Sequence, residues 1–389
     1  MHWSDRLAAV APFRVMRLLE AAQAREAAGH DVIHLEIGEP DFPPPAAVVA
    51  AGQEALAAGH TRYTPACGLP ALREAIAGHY QRCHGVALDP RRVIVTPGAS
   101  GALLLASQLL VQRGDRVLMA DPTYPCNRHF MALAEAAVDC VPVGPESGWQ
   151  LDAALLAQHW QPCTRLAMLA TPSNPTGHML SASQLSAVAQ TVAARDGALL
   201  VDEIYQGLCY GVDPVSAVSA APEAFVVNSF SKFFGMTGWR LGWLVAPEAA
   251  LEPLSRLAQN VFLAPPTLSQ HAALAAFSPA CLDQLEARRA ELQVRRDALL
   301  AGLARLGLAP AQPPQGAFYV WLDVSAHTDD SEAFCRALLD EENVAITPGT
   351  DFAVRGGGHH VRIAFTTGVA RLEEAVARLE RFLARRGRG

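Results

Sequence analysis

The chain has 389 residues, 51% of them hydrophobic and 18% charged, and its 31 Lys plus Arg against 38 Asp plus Glu leave a formal net charge of -7. That much apolar material can fill a large core and excludes a disordered chain, while the acidic balance argues against a nucleic-acid or anionic-membrane surface. No apolar run reaches the roughly 18 residues that a membrane span requires, and the N-terminus lacks the apolar stretch of a secretory signal.

The eight cysteines are scattered without a C-x-x-C pair, which fits free thiols in a reducing cytoplasm. The 13 histidines show no H-E-x-x-H or related spacing, so no metal site is expected.

In chain order, the first 40 residues precede a turn rich in proline at Pro43, Pro44 and Pro45. Short apolar runs then predict strands over 93–96, 116–120, 166–170, 198–201, 225–228 and 241–245. Ala/Leu-rich helical patterns such as 101–112 and 181–195 lie between them, the alternation of a mostly parallel sheet covered by helices. A long charged helix follows over 278–307. Beyond it, 316–322 and 360–365 alternate like half-exposed strands, with helices over 331–340 and 372–385. The expected architecture is α/β: a large domain (41–285) around a mostly parallel central sheet with flanking helices, and a smaller α+β domain. The C-terminal segment 286–389 builds that smaller domain, with the N-terminal arm 1–40 packing on it. There is no internal repeat.

Ligand groups in such sheets sit at the carboxyl ends of the strands. Five polar loops fall there: Gly98-Ala99-Ser100, Asp121 to Tyr124, Thr171 to Gly177, Asp202 to Tyr205 and Ser229 to Lys232. Lys232 is the one lysine among the 31 basic residues. On a solvated face Arg replaces Lys at little cost, but a guanidinium stays protonated and cannot supply a neutral amine for covalent chemistry. A lone lysine is therefore a candidate for a Schiff base. Free lysine has a pKa of about 10.4, so only about one amine in 2,500 is neutral at pH 7, and its site must lower that cost. Ser229, Ser231 and Arg240 around it would suit a phosphate. Gly98-Ala99-Ser100-Gly101 opens a helix whose first N–H groups suit the same anion. Asp202, after an apolar strand, calls for a cationic or N–H partner.

The blocks S-F-S-K-F-F-G-M-T-G-W-R-L-G, P-S-N-P-T-G, D-E-I-Y, T-P-G-A-S-G, R-Y-T-P-A-C-G-L-P-A-L-R-E-A, G-E-P-D-F and V-R-I-A-F resemble those of the class I/II pyridoxal-phosphate aminotransferases of fold type I, the aspartate aminotransferase superfamily, in that family's order. The resemblance runs from about residue 10 to 385. It implies pyridoxal 5'-phosphate held by Lys232 as a Schiff base, Asp202 on the pyridinium nitrogen, and Tyr205 and Asn174 on the ring's phenolic oxygen. Tyr124 would stack on the ring, and Ala99, Ser100, Ser229, Ser231 and Arg240 would hold the phosphate. Tyr63 would reach the phosphate of the partner in a homodimer with shared sites. Arg362 would clamp the substrate α-carboxylate in a bidentate fork, with the Gly38 N–H and Asn174 assisting. The implied reaction is ping-pong transfer of an amino group from an L-amino acid to a 2-oxo acid such as 2-oxoglutarate or pyruvate.

A dinucleotide-binding βαβ unit is the nearest rival for 93–121, but Leu104 stands where the third glycine of that fingerprint belongs. Carbon–sulfur β-lyases and cyclopropane-forming synthases share the cofactor residues, and the β-lyase is the alternative activity. A transcription regulator with this body would carry a basic helix-turn-helix ahead of it, and the first 40 residues hold none. Segment 261–280 holds no basic residue, and Ser100 stands where some relatives acting on acidic substrates have Lys; both favour neutral or aromatic donors, with Phe13 and Val15 lining the side-chain pocket. The stretch from Thr350 to Gly358, before Arg362, departs from the family pattern.

Overall fold

A computed structural model of the chain describes residues 3–12 and 14–386. Seven strands form the central sheet: β2 (Val93–Thr96), β3 (Arg116–Asp121), β4 (Ala137–Pro142), β5 (Thr164–Ala170), β6 (Ala198–Asp202), β7 (Phe225–Ser229) and β8 (Gly242–Val245), following a short β1 (Ile33–His34) that lies elsewhere. Their order is β2-β8-β7-β6-β5-β3-β4. Only β8 runs against its neighbours, pairing antiparallel with β2 and β7. The chain thus leaves β2, β3, β5, β6 and β7 at the same edge, which gathers the five polar loops.

The inner strands are apolar because helices cover both faces. β2 and β8 are buried at every position, and β5 and β6 at nearly every one. One face packs Val95, Val201, Val226 and Trp243 against outer helices; the other packs Ile94, Leu200, Val227 and Leu244 against the helix Gly98–Leu110. The alternation along each strand, i against i+2, assigns these two sets to opposite faces.

One strand of the central sheet escaped the sequence reading. β4 is the sheet edge, its six residues mostly half-exposed, with Asp139 paired to Arg116 across the ladder. Without burial on both faces it carries no continuous apolar run. The helix predicted from residue 101 starts at Gly98, since its first turn is built of small residues that show no amphipathic signal.

The remaining strands are β9 (Tyr319–Asp323), β10 (Val344–Ala345), β11 (Thr347–Pro348) and β12 (His360–Ala364). They form an antiparallel sheet β11-β12-β9, while β1 pairs parallel with β10. Ile33 and Leu35 share one core with Phe318, Val320, Ile363 and Phe382. We infer that the N-terminal arm and the C-terminal segment make one lobe. The helix Pro279–Arg305 runs unbroken between the two cores: Cys281 and Leu285 pack in the core of the large sheet, and Leu292, Leu299 and Leu303 in the C-terminal one. Among the described residues no helix is long and apolar enough to cross a membrane.

Candidate active site

A cavity of about 360 Å³ opens at the carboxyl edge of the large sheet. Its walls come from Ala99 and Ser100 after β2, Tyr124 after β3, Asn174 after β5, Asp202 and Tyr205 at the end of β6, Ser231 and Lys232 after β7, and Arg240 ahead of β8. Gly38 and Arg362 face them from the other lobe.

Lys232 Nζ donates to the Gly38 carbonyl at 2.6 Å. Burial lowers its pKa to about 8; Glu39 and Asp202 act against that shift, and Arg362 and Arg240 add to it. The amine is thus far closer to neutrality at pH 7 than a free lysine. Gly38 has a steric reason to be glycine: a Cβ there would meet the Tyr319 hydroxyl at 2.5 Å. The Glu39 carboxylate next to it is held by the Thr237 hydroxyl.

Asp202 closes β6, nearly buried, and accepts the Ile204 N–H at 3.1 Å. Burial pushes its carboxyl up to about 6, against the lowering effects of that N–H and of Lys232. A cation beside it would relieve the desolvation that holds the value up. The Tyr205 hydroxyl lies 3.1 Å from that of Tyr319, and burial raises its pKa well above the ordinary phenol value.

The anion cradle is built on glycine. Gly98 opens its helix at φ +69°, and a Cβ on it would lie 2.7 Å from Arg240 Nη2. The guanidinium thus sits against the helix N-terminus, where free N–H groups and the helix dipole favour negative charge. Ser231 Oγ and the Ser229 hydroxyl are 2.9 Å apart. Helix, hydroxyl and guanidinium converge without a carboxylate among them, the donor set of a phosphate site.

Arg362, on β12, is buried. Its Nη1 donates to Asn174 Oδ1 at 3.1 Å, and its Nη2 to the Glu36 carbonyl at 2.7 Å and Thr347 Oγ1 at 3.2 Å. The rings of Tyr319 and Phe352 flank it, 4.2 and 4.6 Å from Cζ. Its Nε is buried without a partner. A buried guanidinium with a spare N–H fits a carboxylate that completes its donors.

Eleven of the thirteen residues predicted for the site line this one cavity, and two do not. Ser229 lies behind it, its hydroxyl donating to the Leu241 carbonyl at 3.1 Å and accepting the Ser231 N–H at 3.0 Å, so it shapes the Ser231 turn. Tyr63 is 82% exposed and stands apart from the cavity of its own chain. Gly38 is present, but its carbonyl is engaged by Lys232. Val15 lines the cavity as expected, and Phe13 lies outside the described residues. Sequence reasoning missed Met16, Leu19, Ile37, Glu36 and Tyr319. The side chains of Met16, Leu19 and Ile37 carry no chemistry that would single them out, Glu36 meets Arg362 through its backbone carbonyl, and Tyr319 reads as one more aromatic in an alternating strand. Among the described residues no group of three or more His, Cys, Asp or Glu could hold a metal ion.

Residues 30–379 match the family model described as aminotransferase class I and II. The valine–pyruvate aminotransferase of Mycobacterium tuberculosis is 41% identical over 385 residues, covering 98% of this chain and 99% of that protein. The aspartate/prephenate aminotransferase of Thermus thermophilus is 35% identical with the same coverage. Among solved structures, an aminotransferase from Mycobacterium tuberculosis superposes with a TM-score of 0.96 at 40% identity, over 99% of this chain and 100% of that one. The chain is a transaminase and belongs to the class I and II aminotransferases of the aspartate aminotransferase superfamily, whose members work with pyridoxal 5'-phosphate.

Proposed function

We propose that this chain transfers the amino group of a neutral L-amino acid to a 2-oxo acid such as pyruvate or 2-oxoglutarate, using pyridoxal 5'-phosphate attached at Lys232. The observation that carries the reading is the meeting in one cavity of Lys232 and Arg240 from the β7–β8 connection, Asp202 from β6 and Arg362 from β12. The donor set fits the cofactor: Ala99, Ser100, Ser231 and Arg240 take the phosphate, Asn174 and Tyr205 the phenolic oxygen, and the Tyr124 ring the face. Asp202 holds a proton on the ring nitrogen by its charge.

When bound, the cofactor supplies an aldehyde that condenses with amines and a ring that accepts the electron pair released at the substrate's Cα. The fork of Arg362 takes the α-carboxylate and so fixes Cα relative to Lys232. The Lys232 amine, when free, would be the base that removes the Cα proton. Desolvation and the two nearby guanidinium groups keep that amine neutral enough for the task. The first oxo acid leaves before the second enters, which gives ping-pong kinetics.

Neutral donors are favoured by charge. The basic side chains lining the cavity are Lys232, Arg240 and Arg362, each with a role already, and the Glu39 carboxylate lines it as well. Among the described residues of this chain a second carboxylate would meet no spare cation. Val15, Met16, Leu19 and Ile37 form an apolar wall instead. The name of the valine–pyruvate relative points the same way. We further propose a homodimer with shared sites, Tyr63 reaching the partner's phosphate. A screen of the twenty amino acids against pyruvate and 2-oxoglutarate tests the reading: aliphatic donors should lead, and a preference for aspartate and glutamate as donors would overturn it.

A further inference from the structure

The stretch from Thr350 onward, which departs from the family pattern, ties three parts of the cavity together. Asp351 is 5% exposed and accepts two backbone N–H groups of the first helix, Arg14–Ala27: Oδ1 takes that of Arg14 at 3.0 Å, and Oδ2 that of Val15 at 2.9 Å. Both donors lie in the first helical turn, whose N–H groups have no partner within the helix. The cap comes from 336 residues away. Phe352 stacks on Arg362, and its carbonyl accepts the Thr123 N–H at 3.2 Å, next to Tyr124. The Asp121 carboxylate then takes the N–H groups of Val354 at 2.7 Å and Arg355 at 3.0 Å.

The rest of the first helix is anchored independently. Leu18 and Ala22 pack with Val32, Leu339 and Ala345, and Arg25 Nε donates to Asn343 Oδ1 at 2.9 Å. Asp351 therefore governs the first turn, from which Val15 and Met16 reach the cavity wall, while Leu19 joins that wall from the second turn.

We propose that Asp351 is a positioning residue for side-chain recognition: by capping the first helix it holds the apolar wall in register with the carboxylate clamp at Arg362, so that donors with long apolar side chains are selected over alanine. This rests on the reading of the cavity as the site for a neutral amino donor. Arg362 fixes the α-carboxylate and the wall meets the far end of the side chain. An error in the wall's placement grows in effect with side-chain length and is not felt by a methyl group.

The test compares wild type, Asp351→Asn and Asp351→Ala across L-alanine, L-2-aminobutyrate, L-norvaline and L-norleucine. The expected loss of kcat/KM is within about twofold for alanine and rises to about tenfold for norleucine, mostly in KM. Hydrogen exchange in the substrate-free protein should accelerate in the first turn of the helix and stay unchanged in its second half. A uniform loss across the series, no loss, or unaltered exchange overturns the proposal. If Asp351→Ala does not fold, the near-isosteric Asp351→Asn decides it by the same length dependence. If wild type turns over none of the four donors, the donor reading fails, and the exchange measurement alone decides whether Asp351 holds the helix.

Discussion

The reactivity proposed for Lys232 follows from where it sits. With the pKa lowered to about 8, about one amine in ten is neutral at pH 7. Cofactor capture should follow that neutral fraction. The rate at which cofactor-free protein takes up pyridoxal 5'-phosphate should climb with pH and level off above about 8; a climb continuing past pH 10 would mean an ordinary solvated lysine. Asp202 shifts upward for the same reason of burial, to about 6, so it stays mostly ionised at pH 7. That both residues belong to one cavity was legible in the sequence, because only one lysine exists and because a carboxylate after an apolar strand calls for a partner. Tyr319 and Glu36 were not legible: their importance comes from a hydroxyl–hydroxyl contact and a backbone carbonyl, and neither depends on a residue type that stands out.

At the scale of elements, the site is a set of strand ends. The apolar strands could be read because burial on both faces leaves continuous hydrophobic runs, and the polar loops after them marked the edge. β4 could not, being half-exposed. The helix Gly98–Leu110 shows how an element serves chemistry: its glycine start at φ +69° leaves room for the Arg240 guanidinium at its N-terminus. Gly98→Ala combines strain at positive φ, of order 1–3 kcal/mol, with a Cβ run into Arg240. The variant should melt a few degrees lower and bind pyridoxal 5'-phosphate about tenfold more weakly, as read by thermal scans and by titration of cofactor-free protein. Unchanged affinity would show that the cradle does not need that approach. The first helix had no such signature, since its cap lies at Asp351, far beyond the reach of a local motif.

The whole molecule adds what no single chain shows. Tyr63 is a large side chain, 82% exposed, in a block that otherwise resembles the family's cofactor loops. In the proposed homodimer a second copy would cover it. Mixing inactive Lys232→Ala protein with weakly binding Tyr63→Ala protein should create hybrid dimers with one intact site, and activity above the sum of the two preparations. Purely additive activity after subunit exchange would place Tyr63 outside the partner's site. The two-lobed arrangement was visible as a change of texture after residue 307. What joined the N-terminal arm to the C-terminal lobe was not, because the β1–β10 pairing spans only two residues a side across a separation that no sequence pattern encodes.

Covalent attachment of the cofactor at Lys232 is the step on which the proposed chemistry depends. Reduction of the loaded enzyme with borohydride, followed by peptide mass mapping, tests it directly. The predicted result is a single pyridoxyl modification on the peptide carrying Ser231 and Lys232, absent from Lys232→Arg protein. A fully loaded enzyme with the modification on another residue, or with none, would contradict it.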